Sequence, residues 1–148
     1  MISLQRLSDC PLTLEQGDAN KRVVWYRDLD YVARPDEDVS ELFHLVRIDE
    51  AGDRCCPVYR QQPGTTPAVA TGKLFLHVQN DWTIDMLEAR LMSLGLRVSK
   101  LLSWAPNAAW IVALDGTPCH ALARLPELHK LDGVAHAEAQ LLLQLKHR

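Results

Sequence analysis

Apolar and polar residues alternate through Lys73-Leu74-Phe75-Leu76-His77-Val78-Gln79. A period of two puts Leu74, Leu76 and Val78 on one face of a β-strand. The period then changes. Ile84, Leu87, Leu91 and Leu94 fall at i, i+3, i+7 and i+10, the apolar stripe of a helix. Thr83 stands where an N-cap belongs, Trp82 before it can staple onto Leu87, and Gly95 offers the left-handed residue that ends a helix. Strand signals follow from Leu96 to Ser103, then a turn at Trp104-Ala105-Pro106-Asn107 and a strand from Ala108 to Leu114. A second helix is predicted from Pro118 to about Leu131, with Ala121, Leu122, Leu125, Leu128 and Leu131 as its apolar side. Pro126 lies inside it, where a missing N–H kinks or splits a helix. Gly133 closes it and Val134 opens a last strand.

The earlier residues read as β. Segments 22–27 and 31–34 are strand-like, broken by Asp28-Leu29-Asp30. Leu42 to Ile48 and Arg54 to Arg60 read as a hairpin around the turn 49–53. Residues 61–72, QQPGTTPAVATG, read as a linker. Two units are therefore expected, a β-rich segment over 1–70 and a domain over 71–148. The second has the order β-α-β-β-α-β, which predicts an α+β, ferredoxin-like fold. Two helices would cover one face of a four-stranded antiparallel sheet, with the N-terminal β-hairpin segment preceding it. The other face would need a partner, a polar coat or the N-terminal strands, and an open sheet face is a docking surface.

Composition narrows the function. Apolar residues make up 47% of the 148, enough for a core. A net charge of −3 without a run of Lys or Arg argues against nucleic acid. No apolar run approaches the ~20 residues that span a bilayer, and the first residues show no secretory pattern. A cytoplasmic location is expected if Met1 is the natural start. Cys10, Cys55, Cys56 and Cys119 form no C-x-x-C pair, so reduced, partly buried thiols are expected. The histidines at 44, 77, 120, 129, 136 and 147 fit no metal-ligand spacing, and no metal or cofactor is expected. Cys119 and His120 are adjacent, but neighbours on a helix point about 100° apart, a poor geometry for nucleophile and base. The four tryptophans, at 25, 82, 104 and 110, read as core or turn anchors.

Three stretches then take on meaning together: Ser93-Leu94-Gly95-Leu96, Ala105-Pro106-Asn107, and Gly133-Val134-Ala135-His136-Ala137-Glu138. In that order, with those gaps, residues ~70–140 resemble the propeptide of bacterial subtilisin-like serine proteases. The resemblance implies an inhibitor or intramolecular chaperone with no catalysis of its own. It implies that the open sheet face packs on two surface helices of the protease. Glu138 would cap those helices, whose N-termini favour a carboxylate. The tail, Leu141, Leu142, Leu143, Gln144, Leu145, Lys146, His147 and Arg148, would add as a strand in the substrate cleft.

The chain departs from that family in three places. Ala139-Gln140 stands where Pro-Asn or Pro-Asp is usual, His136 replaces an aromatic residue, and Pro126 interrupts the second helix. No D-T-G, H-G-T or G-T-S-M motif of the protease domain is present. The expected partner is thus a subtilisin-like protease, met in trans, or in cis if the chain is cut from a longer precursor after Arg148. Two alternatives stand beside this reading. The leucines can continue the last strand onto the N-terminal hairpins. The domain can also be a regulatory module whose sheet face makes a homodimer.

Overall fold

The structure, a computed structural model, describes residues 10–17, 22–39, 42–50, 55–102, 105–143 and 145–146. Among these, β1 is Thr13–Gln16, β2 Val23–Pro35, β3 Phe43–Arg47, β4 Cys56–Arg60 and β5 Ala68–Val78. Helix α1 (Ile84–Ser93), β6 (Leu96–Leu102) and β7 (Ala105–Ala113) follow. Then come α2 (Pro118–Ala123), α3 (Leu125–His129), β8 (Val134–Leu142) and β9 (Leu145–Lys146).

The strands belong to one sheet of nine that curls into a half-barrel, and this overturns the expected ferredoxin-like α+β fold. Strand β5 is shared. Ala68 and Val69 pair with Tyr59 and Val58 of β4, Leu74 to His77 pair with β7, and β8 pairs with β5 from Val69 to Val78. The sheet runs on from β4 to β2, β2 to β3 and β3 to β9. Strands β1 to β8 pair antiparallel, and β9 lies parallel to β3. The fold is mostly β because Ala68, Val69 and Ala70, expected in the linker, are fully buried and lengthen β5 to 11 residues. Three short apolar residues beside Pro67 carry too little pattern to mark a strand.

The N-terminal pairing also differs from expectation. β2 runs unbroken for 13 residues, with its register shift on β4 falling between Arg27 and Val32. Asp28 makes the bulge tolerable. One carboxylate oxygen accepts the N–H groups of Asp30 and Tyr31, and the other meets Arg60 Nε at 2.9 Å. β2 lies between β3 and β4, so those two strands do not form the expected hairpin.

Among the described residues two larger apolar cores and one small buried cluster result. Leu74, Leu76 and Val78 of β5 pack with Leu87 and Leu91 of α1, Leu122 of α2 and Leu128 of α3. Inside the curl, Ala33, Phe43, Leu45, Val58 and Val69 form a second core, with Leu142 packed against it. Thr83 precedes α1 but makes no side-chain cap bond, and its carbonyl accepts the Met86 N–H instead. The second predicted helix is split at Arg124 into α2 and α3. Pro126 has no N–H for the Leu122 carbonyl, and it sits in the first turn of α3, where none is needed.

The cysteines are not all thiols. Cys10 and Cys119 form a disulfide across 109 positions, while Cys55 and Cys56 remain thiols. Burial, reinforced by Cys55, pushes the Cys56 thiol up to about 12. Gly133 shows how tightly the last connection is built. It holds φ at +90°, and a Cβ there would overlap the Trp82 ring. Gly133→Ala is expected to cost about 2–5 kcal/mol, from the left-handed backbone and the overpacking together. The midpoint of urea denaturation reads this; a loss of only about 1–2 kcal/mol would mean that Trp82 turns aside and the backbone cost alone remains, and an unchanged midpoint would overturn the expectation.

Candidate functional site

The period of two that buries Leu74 and Leu76 sends Lys73, Phe75 and His77 to the opposite face of β5. On β7, Ala109 and Ile111 are buried, and Trp110 between them faces the other way. On β8, Ala137 and Ala139 are buried, and His136, Glu138 and Gln140 are half-buried. Register then aligns one row across four strands. Lys100 lies opposite Trp110, Trp110 opposite Phe75, and Phe75 opposite Glu138. The two rings meet edge to face, with centroids 5.7 Å apart and planes at 72°. That geometry suits their opposed quadrupole edges and faces. A groove of about 380 Å³ runs beside the row, lined in part by Gln16, Glu138 and Gln140.

Glu138, the carboxylate picked out from sequence, therefore sits on this helix-free face. Its Oε2 lies 3.2 Å from His136 Nε2, and its side chain is 38% exposed. The arrangement is a half-apolar strip with a carboxylate at one end and a lysine at the other. It can grip a surface, but it brings together no nucleophile and base. Cys119 is held in the disulfide, and its neighbour His120 faces Asp115, Nδ1 to Oδ2, at 3.0 Å. Partial burial opposes ionisation of Asp115, yet bonds from Thr117 and His120 outweigh it and hold the carboxyl at about 2. Among the described residues no group of three His, Cys, Asp or Glu is placed to hold a metal ion.

The tail is drawn into the fold. Leu141 pairs with Ala70 and packs on the main core, and Leu142 pairs with Val69 and packs on the second. Leu143 is 60% exposed. The backbone of Leu145 and Lys146 pairs with Phe43 and His44 of β3. Gln144, His147 and Arg148 lie outside the described residues, as does Trp104. Sequence reasoning thus met Glu138 and the tail but passed over Phe75 and Trp110. The signal was present, since each aromatic residue alternates with buried aliphatic neighbours and so falls on the other face.

The outer edge of β8 is closed by side chains. Gln16 Nε2 donates to the Ala139 carbonyl at 2.8 Å, and its Oε1 accepts the Ala139 N–H at 3.0 Å. His129 Nε2 lies 2.7 Å from the Ala137 carbonyl. With this geometry in hand, the chain was compared with known proteins. No protein-family model matches it, and neither does any curated protein or solved structure.

The connection from β2 to β3, the strand that receives the tail, carries one strongly perturbed group, Asp36. His44 on β3 meets Asp36 at 2.7 Å, and Asp36 also accepts the N–H groups of Asp38 and Val39. The Asp38 backbone bond first, then His44 and the Val39 backbone bond, lower the Asp36 carboxyl from 3.8 to about 2. A depressed carboxylate contributes stability that is full above its unfolded pKa and lost on protonation. The stability gap between the native protein and Asp36→Asn is therefore expected to stay constant above about pH 5 and to shrink between about pH 4 and pH 2. Denaturant midpoints across that range give the reading, and a constant gap would show that the bonds to Asp36 do not favour its charge.

Proposed function

We propose that this protein binds a subtilisin-like serine protease in the manner of a propeptide, inhibiting it or assisting its folding, without chemistry of its own. The row Lys100–Trp110–Phe75–Glu138 on the helix-free face carries the reading. Aromatic anchors flanked by charge are what a protein–protein contact uses to gain affinity at its centre and orientation at its rim. The order of the three motifs that end at Glu138 supports the choice of partner.

The tail acts conditionally in this scheme. Leu141 and Leu142 stay in β8, and the residues from Leu143 onward reach the cleft only when β9 leaves β3. β9 spans two residues, so its release gives up a few backbone bonds worth about 0.5–1.5 kcal/mol each. The protease cleft, which pairs the same backbone as a β-strand, can replace them.

The Cys10–Cys119 bridge fits an oxidising compartment better than the cytosol. Among the described residues no helix is long and apolar enough to cross a membrane. A second reading, self-association, draws on β6, which among the described residues pairs only with β7 and exposes Leu101. Arg97, Lys100 and a register shift between Val98 and Lys100 work against it, since charge and bulges guard sheet edges.

Inhibition of a purified subtilisin-type protease tests the proposal. The full chain is expected to inhibit. A chain cut after Leu142 should lose inhibition while staying folded, its denaturation midpoint lowered only by the loss of the β9 bonds, and Trp110→Ala should weaken binding about tenfold, or 1.4 kcal/mol. No inhibition by the full chain, together with a dimer in light scattering, would favour self-association instead.

A further inference from the structure

Three of the four cysteines share one small buried cluster. Cys10, Cys55 and Cys119 lie together with Val32, with Val46 and Ile48 packed around them, and the three cysteines are at most 3% exposed. Two of them are bridged and the third is a thiol. A thiol and a disulfide held in one buried cluster are the reactant pair of thiol–disulfide exchange. We propose that Cys10, Cys55 and Cys119 form an exchange site, in which Cys55 captures one sulfur of the bridge and so unclips α2 from the N-terminal segment.

The step balances without any other reactant. The Cys55 thiol gives up its proton, and its sulfur bonds to the sulfur of Cys10 or Cys119. The Cys10–Cys119 bond breaks, and its electron pair leaves on the other sulfur, which takes up a proton. One disulfide and one thiol stand on each side, so nothing is oxidised or reduced overall. Either product cuts the covalent link between residue 10 and α2, because that link exists only as the bridge between Cys10 and Cys119.

The surroundings suit a move of sulfurs rather than of the whole fold. The N-terminal segment has its own anchors. Tyr59 donates its hydroxyl to the Pro11 carbonyl at 2.7 Å, Arg27 N–H bonds the Leu12 carbonyl, and Arg27 Nη1 bonds the Cys10 carbonyl at 2.7 Å. Arg27 thus stands at the margin of the cluster, bonded to the backbone of Cys10. α2 has an anchor too, in Pro118 against Gly72. The neighbouring Cys56 belongs to the other core, inside the curl, and is held protonated by burial.

Disulfide mapping by mass spectrometry tests the site. The folded full chain, oxidised in a glutathione buffer and freed of it, is held at about pH 8.5, near the ordinary thiol pKa. It is then acid-quenched, alkylated and digested. Peptides linking Cys55 to Cys10 or to Cys119 are expected to appear beside the Cys10–Cys119 link, with the displaced cysteine alkylated. Cys55→Ser should abolish them, and Cys56→Ser should leave them. Circular dichroism taken alongside confirms that exchange occurs in the folded chain. A wild-type protein that retains only the Cys10–Cys119 link overturns the proposal. So does one in which Cys56→Ser stops the exchange, or in which Cys10 and Cys119 are both found alkylated from the start.

Discussion

A single strand, β5, holds two differently built halves in register. Its first residues pair with β4 and its later ones with β7, while β8 follows it along nearly its whole length. Such a strand must bend where its neighbour changes. The bend falls where the β8 pairing skips, between Ala70 and Leu74, and Gly72 occupies it with φ at +94°. A Cβ at Gly72 would stand 2.6 Å from the Pro118 Cα, so the absent side chain also lets α2 seat against the sheet. Cys119, the next residue in α2, is thereby brought to the cluster that contains Cys10. The curl, the seating of α2 and the disulfide all depend on the geometry of this one strand.

The same strand sorts the surfaces. One face of β5, β7 and β8 is dry beneath three helices, and the other presents Phe75 and Trp110 between a lysine and a glutamate. Two of the sheet's margins, at β8 and at β6, are protected in different ways. At β8 a glutamine amide occupies the place of a strand, donating and accepting as a peptide group would. At β6 the protection is charge and irregularity. The Phe75–Trp110 row therefore lies on a face of the sheet rather than along an edge.

The local elements were legible where the period was long. The spacing of Ile84, Leu87 and Leu91 yields α1, and the alternation of Leu74, Leu76 and Val78 yields the second half of β5. Pairing was not legible, because neighbours in sequence invite hairpins while β2 inserts itself between β3 and β4. Ala68 to Ala70 carry too little side chain to signal burial. The Cys10–Cys119 pair has no spacing rule across 109 positions. For the candidate site, Glu138 was found through its motif, whereas Trp110 was read as a core or turn anchor and Phe75 was given no role. Which of two faces is covered is decided by the helices, and no strand pattern records that choice.

Synthesis proceeds from the N-terminal side, and this sets a problem of timing for the bridge. Cys10, Cys55 and Cys56 have all left the ribosome before Cys119 is made. β5 is likewise complete before β7 and β8, its longest-range neighbours, exist. In an oxidising environment the first sulfurs that Cys10 can meet are therefore those of the β4 region. A chain built in this order arrives at Cys10–Cys119 by replacement as readily as by direct closure, and a third cysteine kept in the same cluster gives that replacement a route.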